Sequence, residues 1–272
     1  GIDPNLGPAH YRLAELNVLR RNLPRAQKGF SLALAASPDD PYAAAGMAEF
    51  LVDYDTPAKA AEYIRSARDL LSGTAEGLRA IGKLHLARGE YQRATAVLTK
   101  ARAAGPLDLS TDFALGKAYL VSGQFDMAIG IFNRLVSYRP DYSRYYSFLG
   151  SAYRSAGRLM ESISTLESAY RIDPDNVSTL VNLAHSYFEL GWYRKSLQLL
   201  MRAREVRPEL SEIDVNLGVV YRHMGETARA EKLLADAVRS ASKTPAATNN
   251  RGNLLFLEGR TKEAIKAYRK AD

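Results

Sequence analysis

Two sets of residues in this chain have types and spacings that invite chemistry. The first is His185, Glu189 and His223. His185 and Glu189 lie one helical turn apart, and His223 follows Glu189 by 34 residues. Two imidazoles and a carboxylate on neighbouring helix faces would suit a divalent metal. The competing reading is three ordinary polar residues on a wet surface, and a match this loose favours it, so no metal is assigned. The second set is Asn182, Asn216 and Asn250, again 34 residues apart. A side-chain amide offers both a donor and an acceptor. A row of amides can therefore pair with the N–H and C=O groups of an extended peptide without reading its sequence.

Other chemistry is not signalled. No phosphate loop, dinucleotide fingerprint, nucleophile elbow or His-Glu-x-x-His pair occurs. The reading is non-enzymatic, with no catalytic residue, no metal and no cofactor. His10 and His85 fall on helix packing positions and read as partly buried helix residues.

The interval that spaces the asparagines runs through nearly the whole chain. Leu183, Ala184 and Tyr187 answer to Leu217, Gly218 and Tyr221 on one side and to Leu149, Gly150 and Tyr153 on the other. Gly191 has counterparts at Gly89, Gly123, Gly157, Gly225 and Gly259. Pro208 has counterparts at Pro38, Pro106, Pro140 and Pro174. A fixed period of this size marks a repeat array. The units open at Gly7, Pro41, Ala75, Leu109, Ser143, Val177, Ser211 and Pro245. Their eighth and twentieth places are small, which allows two helices to approach closely. Glycine at the fifteenth place suits a left-handed residue ending the first helix, and proline at the thirty-second stops the second.

This pattern resembles the tetratricopeptide repeat family. The resemblance implies an all-α, right-handed superhelical solenoid of antiparallel helix pairs. First helices would line a concave groove and second helices the convex outside. Residues 1–6 then form a tail, with Gly1-Ile2-Asp3-Pro4 looking like a tag remnant, and residues 7–272 form a single array. Repeat two departs from the pattern. It reads Tyr54-Asp55-Thr56-Pro57 at its turn and has Ser72 where proline is expected, which predicts a soft exit near Leu70–Thr74. Repeat seven has Ser242 at the proline place, and repeat eight has Arg251 where the family has leucine. Ile265 falls on the stacking face of the last unit. That placement suggests an excerpt of a longer protein or, alternatively, self-association through this end.

Composition agrees with a packed helical array: 46% of residues are apolar, and no stretch resembles a linker. The net charge of +7 raises the question of nucleic acid. No repeat exceeds +3 and acids are interspersed with bases, so the basic stripe that nucleic acid requires is missing. Cysteine is absent, which removes disulfides and thiolate metal sites, and no run is long and apolar enough to span a membrane. The compartment stays open between cytoplasm and bacterial periplasm.

In some members of the family, among them protein O-glycosyltransferases, asparagine at the sixth place holds peptide backbones. The resemblance implies this use for Asn182, Asn216 and Asn250. The alternative is that such residues hydrogen-bond only within their own repeat. Val181, Val215, Phe188 and Phe256 are candidate walls of shallow side-chain pockets beside the row, with Asn253 nearby. Arg79, Lys83 and Lys117 predict a basic middle of the groove that favours an acidic ligand segment. The Lys-Asn, Asn, Lys-Arg arrangement of chaperone-binding members is missing. Trp192, just after Gly191, reads as a staple at the start of the next helix. The function expected is a scaffold that holds a partner peptide or segment in its groove, possible settings being bacterial envelope or secretion assemblies. The alternatives are the substrate-recruiting part of a larger enzyme, such as a protein glycosyltransferase, and a self-assembling structural scaffold.

Overall fold

The structure is a computed structural model that describes residues 6–105, 108–240, 252, 255–256 and 259–271. Every regular element among the described residues is an α-helix. The chain divides into two compact units, Gly1–Leu135 and Val136–Asp272.

In the N-terminal unit the first helices are α1 (Gly7–Leu19), α3 (Pro41–Tyr54), α6 (Ala75–Ala87) and α8 (Leu109–Val121). The second helices are α2 (Leu23–Ala36), α4 (Pro57–Ser66) with α5 (Arg68–Ser72), α7 (Tyr91–Ala104) and α9 (Phe125–Tyr138), whose last turn passes into the next unit. The C-terminal unit continues with α10 (Ser143–Ser155), α11 (Leu159–Ile172), α12 (Val177–Glu189), α13 (Tyr193–Val206), α14 (Ser211–His223), α15 (Thr227–Ser240) and α16 (Thr261–Ala271). First helices open at the residues that the sequence period predicts.

Start signals are local. Asp40, Thr74, Asp108 and Asn176, each the last residue of its repeat, accept hydrogen bonds from the first-turn amides of α3, α6, α8 and α12. These side chains satisfy donors that a helix N-terminus leaves unpaired. Stop signals are local too. Gly89, Gly123, Gly157, Gly191, Gly225 and Gly259 all have φ between 72° and 81°. Repeat one has Arg21 at the same place, and it takes φ 55° without the freedom of glycine.

The small eighth residue is where two helices meet. A Cβ on Gly150 would lie 2.4 Å from Leu166 Cγ, closer than atoms can pack. Around such contacts lies a leucine- and alanine-rich core; Leu98, Leu166, Leu200 and Leu234 are each fully buried, one per second helix. Repeat two departs from the pattern at its turn, where Asp55 is extended rather than left-handed, and at one further place that the sequence did not mark. Its second helix breaks at Ala67, where Ser66 Oγ donates to the Tyr63 carbonyl and competes with the helical ladder. The exit beyond it is pinned: Leu71 is fully buried, and a Cβ on Gly77 would meet the Leu71 carbonyl at 2.1 Å. Ile265 is 46% exposed. No described helix is long and apolar enough to cross a membrane.

The two units hold their buried polar groups differently. In the first, Asp112 is 1% exposed and lies 3.1 Å from Arg102 Nε and 3.0 Å from Arg134 Nη2. In the second, neutral hydroxyls pair instead, Ser147 with Thr179 and Ser162 with Ser186.

Candidate functional site

A concavity on the first-helix side lies in the N-terminal unit, at a place the sequence marked only through Arg79. It is a cleft of about 680 Å³ between α1 and α3, reached by Arg79 of α6 and Ser110 of α8. Its size falls in the range of small-ligand and side-chain sites. Four rings form a continuous wall. Tyr11 and Phe30 are 5.8 Å apart, Phe30 and Phe50 5.9 Å, and Phe50 and Tyr54 5.5 Å between centroids. Leu16 and Tyr54, at 49% and 48% exposure, leave the mouth apolar. The depth depends on Gly46. A Cβ there would lie 2.7 Å from ring atoms of both Tyr11 and Phe30, so only glycine lets those rings close over the backbone.

Charges on the rim are held in place. The Arg79 guanidinium binds Glu49 through Nε and Nη2 and Asp108 through Nη1. Burial works against the charged guanidinium, but these carboxylates outweigh it and raise its pKa. Asp108 is held below its ordinary range: burial opposes this, and Thr111 and Arg79 overcome it. Lys83 Nζ binds Asp53 at 2.6 Å, and Arg12 binds Glu15 at 2.8 Å. The Tyr11 hydroxyl is pushed up by burial and by Glu15 and Glu49. Every cation on this rim therefore has a carboxylate partner.

That pairing corrects the expectation of a basic groove at Arg79 and Lys83. Glu49 and Asp53 lie 30 residues before the cations they meet, one period less one helical turn, and Asp108 lies at the end of Arg79's own repeat. A charge sum taken within each repeat cannot see pairs that form between repeats. Lys117 lies 6.0 Å over the Phe113 ring.

In the C-terminal unit, Asn182 on α12 and Asn216 on α14 are both half-buried. The Asn216 amide faces His185 of the preceding repeat and favours its charged ring. Among the described residues the Asn182 side chain has no hydrogen-bond partner. His185 is lowered from its ordinary pKa by burial and by Arg154, against the opposing pull of Asn216 and Glu189. Glu189 accepts a 2.9 Å bond from Arg154, and His223 Nδ1 lies 2.9 Å from the Val219 carbonyl. His185, Glu189 and His223 are thus engaged separately, and no group of metal-ligating side chains is found among the described residues.

Of the expected pocket walls beside the row, Val181, Val215 and Phe188 are packed within the unit, and Phe256 is 55% exposed. Val215 is 6% exposed and sits in the core; Val181 and Phe188 pack against the cluster around Leu180, Leu200 and Leu217. Phe188 also meets His223 edge-on at 4.7 Å. Asn250 and Asn253 lie outside the described residues. Trp192 stands at the N-cap of α13 and packs back on Tyr187 of α12 at 5.5 Å.

No curated protein matches the chain. Solved structures do. A thermophilic tetratricopeptide repeat protein of Thermus thermophilus is 24% identical, with a TM-score of 0.58 over 71% of this chain and 99% of that one. A tetratricopeptide repeat protein of Parabacteroides merdae is 16% identical, with a TM-score of 0.61 over 98% and 92%. In the Cut9-Hcn1 hetero-tetramer of the APC/C, the matching chain is 15% identical with a TM-score of 0.68, covering 92% of this chain and 52% of its own length. These likenesses establish the fold. A tetratricopeptide repeat family model matches residues 113–177, 181–239 and 215–272. With the period, the left-handed glycines and the helix pairs in place, the chain belongs to the tetratricopeptide repeat family.

Proposed function

We propose that this chain is a non-enzymatic interaction scaffold whose first-helix side, the groove of a single array over residues 7–272, holds a segment of a partner protein. The observation that carries the reading is the cleft around Gly46: Phe30 and Phe50 form its buried back, and Leu16, Leu19 and Tyr54 are left exposed at its mouth. The paired charges on its rim fix the walls without attracting either sign strongly. An aliphatic or aromatic side chain fits this chemistry as the anchor. The partnerless Asn182 amide supports a second, backbone-directed contact in the C-terminal unit. A bacterial envelope or secretion assembly is the setting in which we place the scaffold.

The test is selection of binding peptides from a displayed library, followed by titration against variants. Leu16→Glu with Tyr54→Ser changes only exposed cleft walls. It is expected to weaken a groove-selected peptide about tenfold or more, as loss of an anchor contact does, with unchanged circular dichroism and melting. Asn182→Ala with Asn216→Ala is expected to weaken it less. Selected peptides that bind both variants as tightly as the parent chain would overturn the proposal.

A further inference from the structure

The C-terminal unit carries another surface, on its second-helix side, that the groove reading does not use. Between α11 and α13, over a floor of Leu183 and Tyr187 from α12, lies a cleft of about 460 Å³. A neighbouring hollow of about 450 Å³ opens beside Trp192 and Met224, and Lys195 lines both. Trp192 is 43% exposed and Tyr170 36%.

The cations here behave differently from their neighbours. Elsewhere in the unit Arg154, Arg158, Arg204 and Arg207 each face a carboxylate. Arg202, at one end of the cleft, is bound by Asp175 and Glu205. Arg171, Arg194 and Lys195 have no carboxylate partner among the described residues. Arg171 donates only to Ser168 Oγ, at 2.9 Å. The Lys195 ammonium lies 4.6 Å from the Trp192 ring and 5.0 Å from the Tyr187 ring. Glu167 is the one carboxylate lining either hollow, and it is occupied by the Tyr187 hydroxyl at 2.7 Å, which with burial pushes that phenol up to about 12.

We infer that this surface is a second docking site, for an acidic protein segment carrying one bulky apolar side chain. The apolar floor and the Trp192 face take the side chain; Arg171, Arg194 and Lys195 take flanking carboxylates. Charge complementarity selects this occupant. Arginine offers a planar fork to a carboxylate, and an ammonium already placed over two rings keeps its charge for a second partner. A nucleic acid fits less well, because a phosphate backbone extending past Arg202 would meet Asp175 and Glu205.

The probe is a short fluorescein-labelled peptide of Asp and Glu around a central Leu-Phe, titrated against the full chain by fluorescence anisotropy. Controls are the same peptide with Lys for its acids and a labelled single-stranded oligonucleotide. Binding by the acidic peptide alone is expected. Lys195→Glu with Arg171→Glu should weaken it about tenfold, an effect that shrinks at high salt because exposed charges are screened. Trp192→Ala should weaken it at low and high salt alike. Leu16→Glu with Tyr54→Ser should leave it unchanged, which separates this site from the groove. Absence of binding, equal binding by the Lys peptide, tighter binding by the oligonucleotide, or indifference to Lys195→Glu with Arg171→Glu would each overturn the inference.

Discussion

On the first-helix side of the N-terminal unit the half-buried polar groups are charges held in ion pairs, and Arg79–Glu49 and Lys83–Asp53 tie one repeat to the next. In the C-terminal unit Asn182, Asn216 and the neutral imidazole of His185 take that place, with Arg154 and Glu189 as the charged pair. The buried interior repeats the contrast: a carboxylate between two guanidinium groups at Asp112, hydroxyl pairs at Ser147 and Ser162. Both units keep the same small eighth residue and the same left-handed glycine. The frame therefore constrains close approach and turning, and leaves open how polar groups are satisfied.

The contrast can be broken most severely at a place the units share. Gly150→Leu forces α10 away from Leu166 and is expected to cost about 3 kcal/mol by urea denaturation. Because each repeat contacts only its neighbours, the loss should fall on the C-terminal unit and leave amide protection in the N-terminal unit. Uniform loss across both units would remove the distinction between them. Asp112→Ala attacks the N-terminal unit. It strands Arg102 and Arg134, but both are partly solvated, so a cost of about 2 kcal/mol is expected, below that of fully buried pairs. A cost near zero would show that the triad is dispensable.

The smallest effect concerns pH. His185 has a lowered pKa in the fold, so folding favours the neutral ring. Its contribution is full above the ordinary histidine range and declines as pH falls through and below it. The C-terminal unit should lose stability between about pH 7 and pH 5, and His185→Gln should flatten that slope. The lowered pKa of Asp108 gives the N-terminal unit a separate loss, which begins only as pH falls into the carboxylate range. Coincident acid transitions in the two units would contradict the assignment.

The elements were legible because their signals are local. Capping residues, left-handed glycines and apolar spacing lie within a few residues of what they control, and helix starts follow them. The small packing residues were legible for the same reason. The break at Ala67 was not, since neither proline nor glycine marks it and a serine back-bond is silent in composition. The cleft at Gly46 was not either. Its rings come from Tyr11, Phe30, Phe50 and Tyr54, on three helices of two repeats. The signal available was glycine at a sixth place with aromatic residues on both sides of it in sequence. The paired state of Arg79 and Lys83 was hidden by counting charge repeat by repeat. The burial of Val215 was hidden because a valine reads alike as pocket wall and as core.

Gly46 also bears on how such a chain acquires new ligands. Within this one molecule the sixth place is arginine in repeat one, glycine in repeat two and asparagine in repeats six and seven, whereas the eighth is only alanine or glycine in every repeat. Changes at the eighth place are paid in folding. A change at a half-buried sixth place, such as the one that plants an amide at Asn182 or Asn216, leaves the helix pair intact. The half-buried sixth places of repeats six and seven are thus open to drift inside a frame that is closed to it, whereas Ala80 and Ala114 hold the same place as core. Duplicating a repeat and then altering that single residue would lengthen the recognition surface and respecify it without passing through an unfolded ancestor.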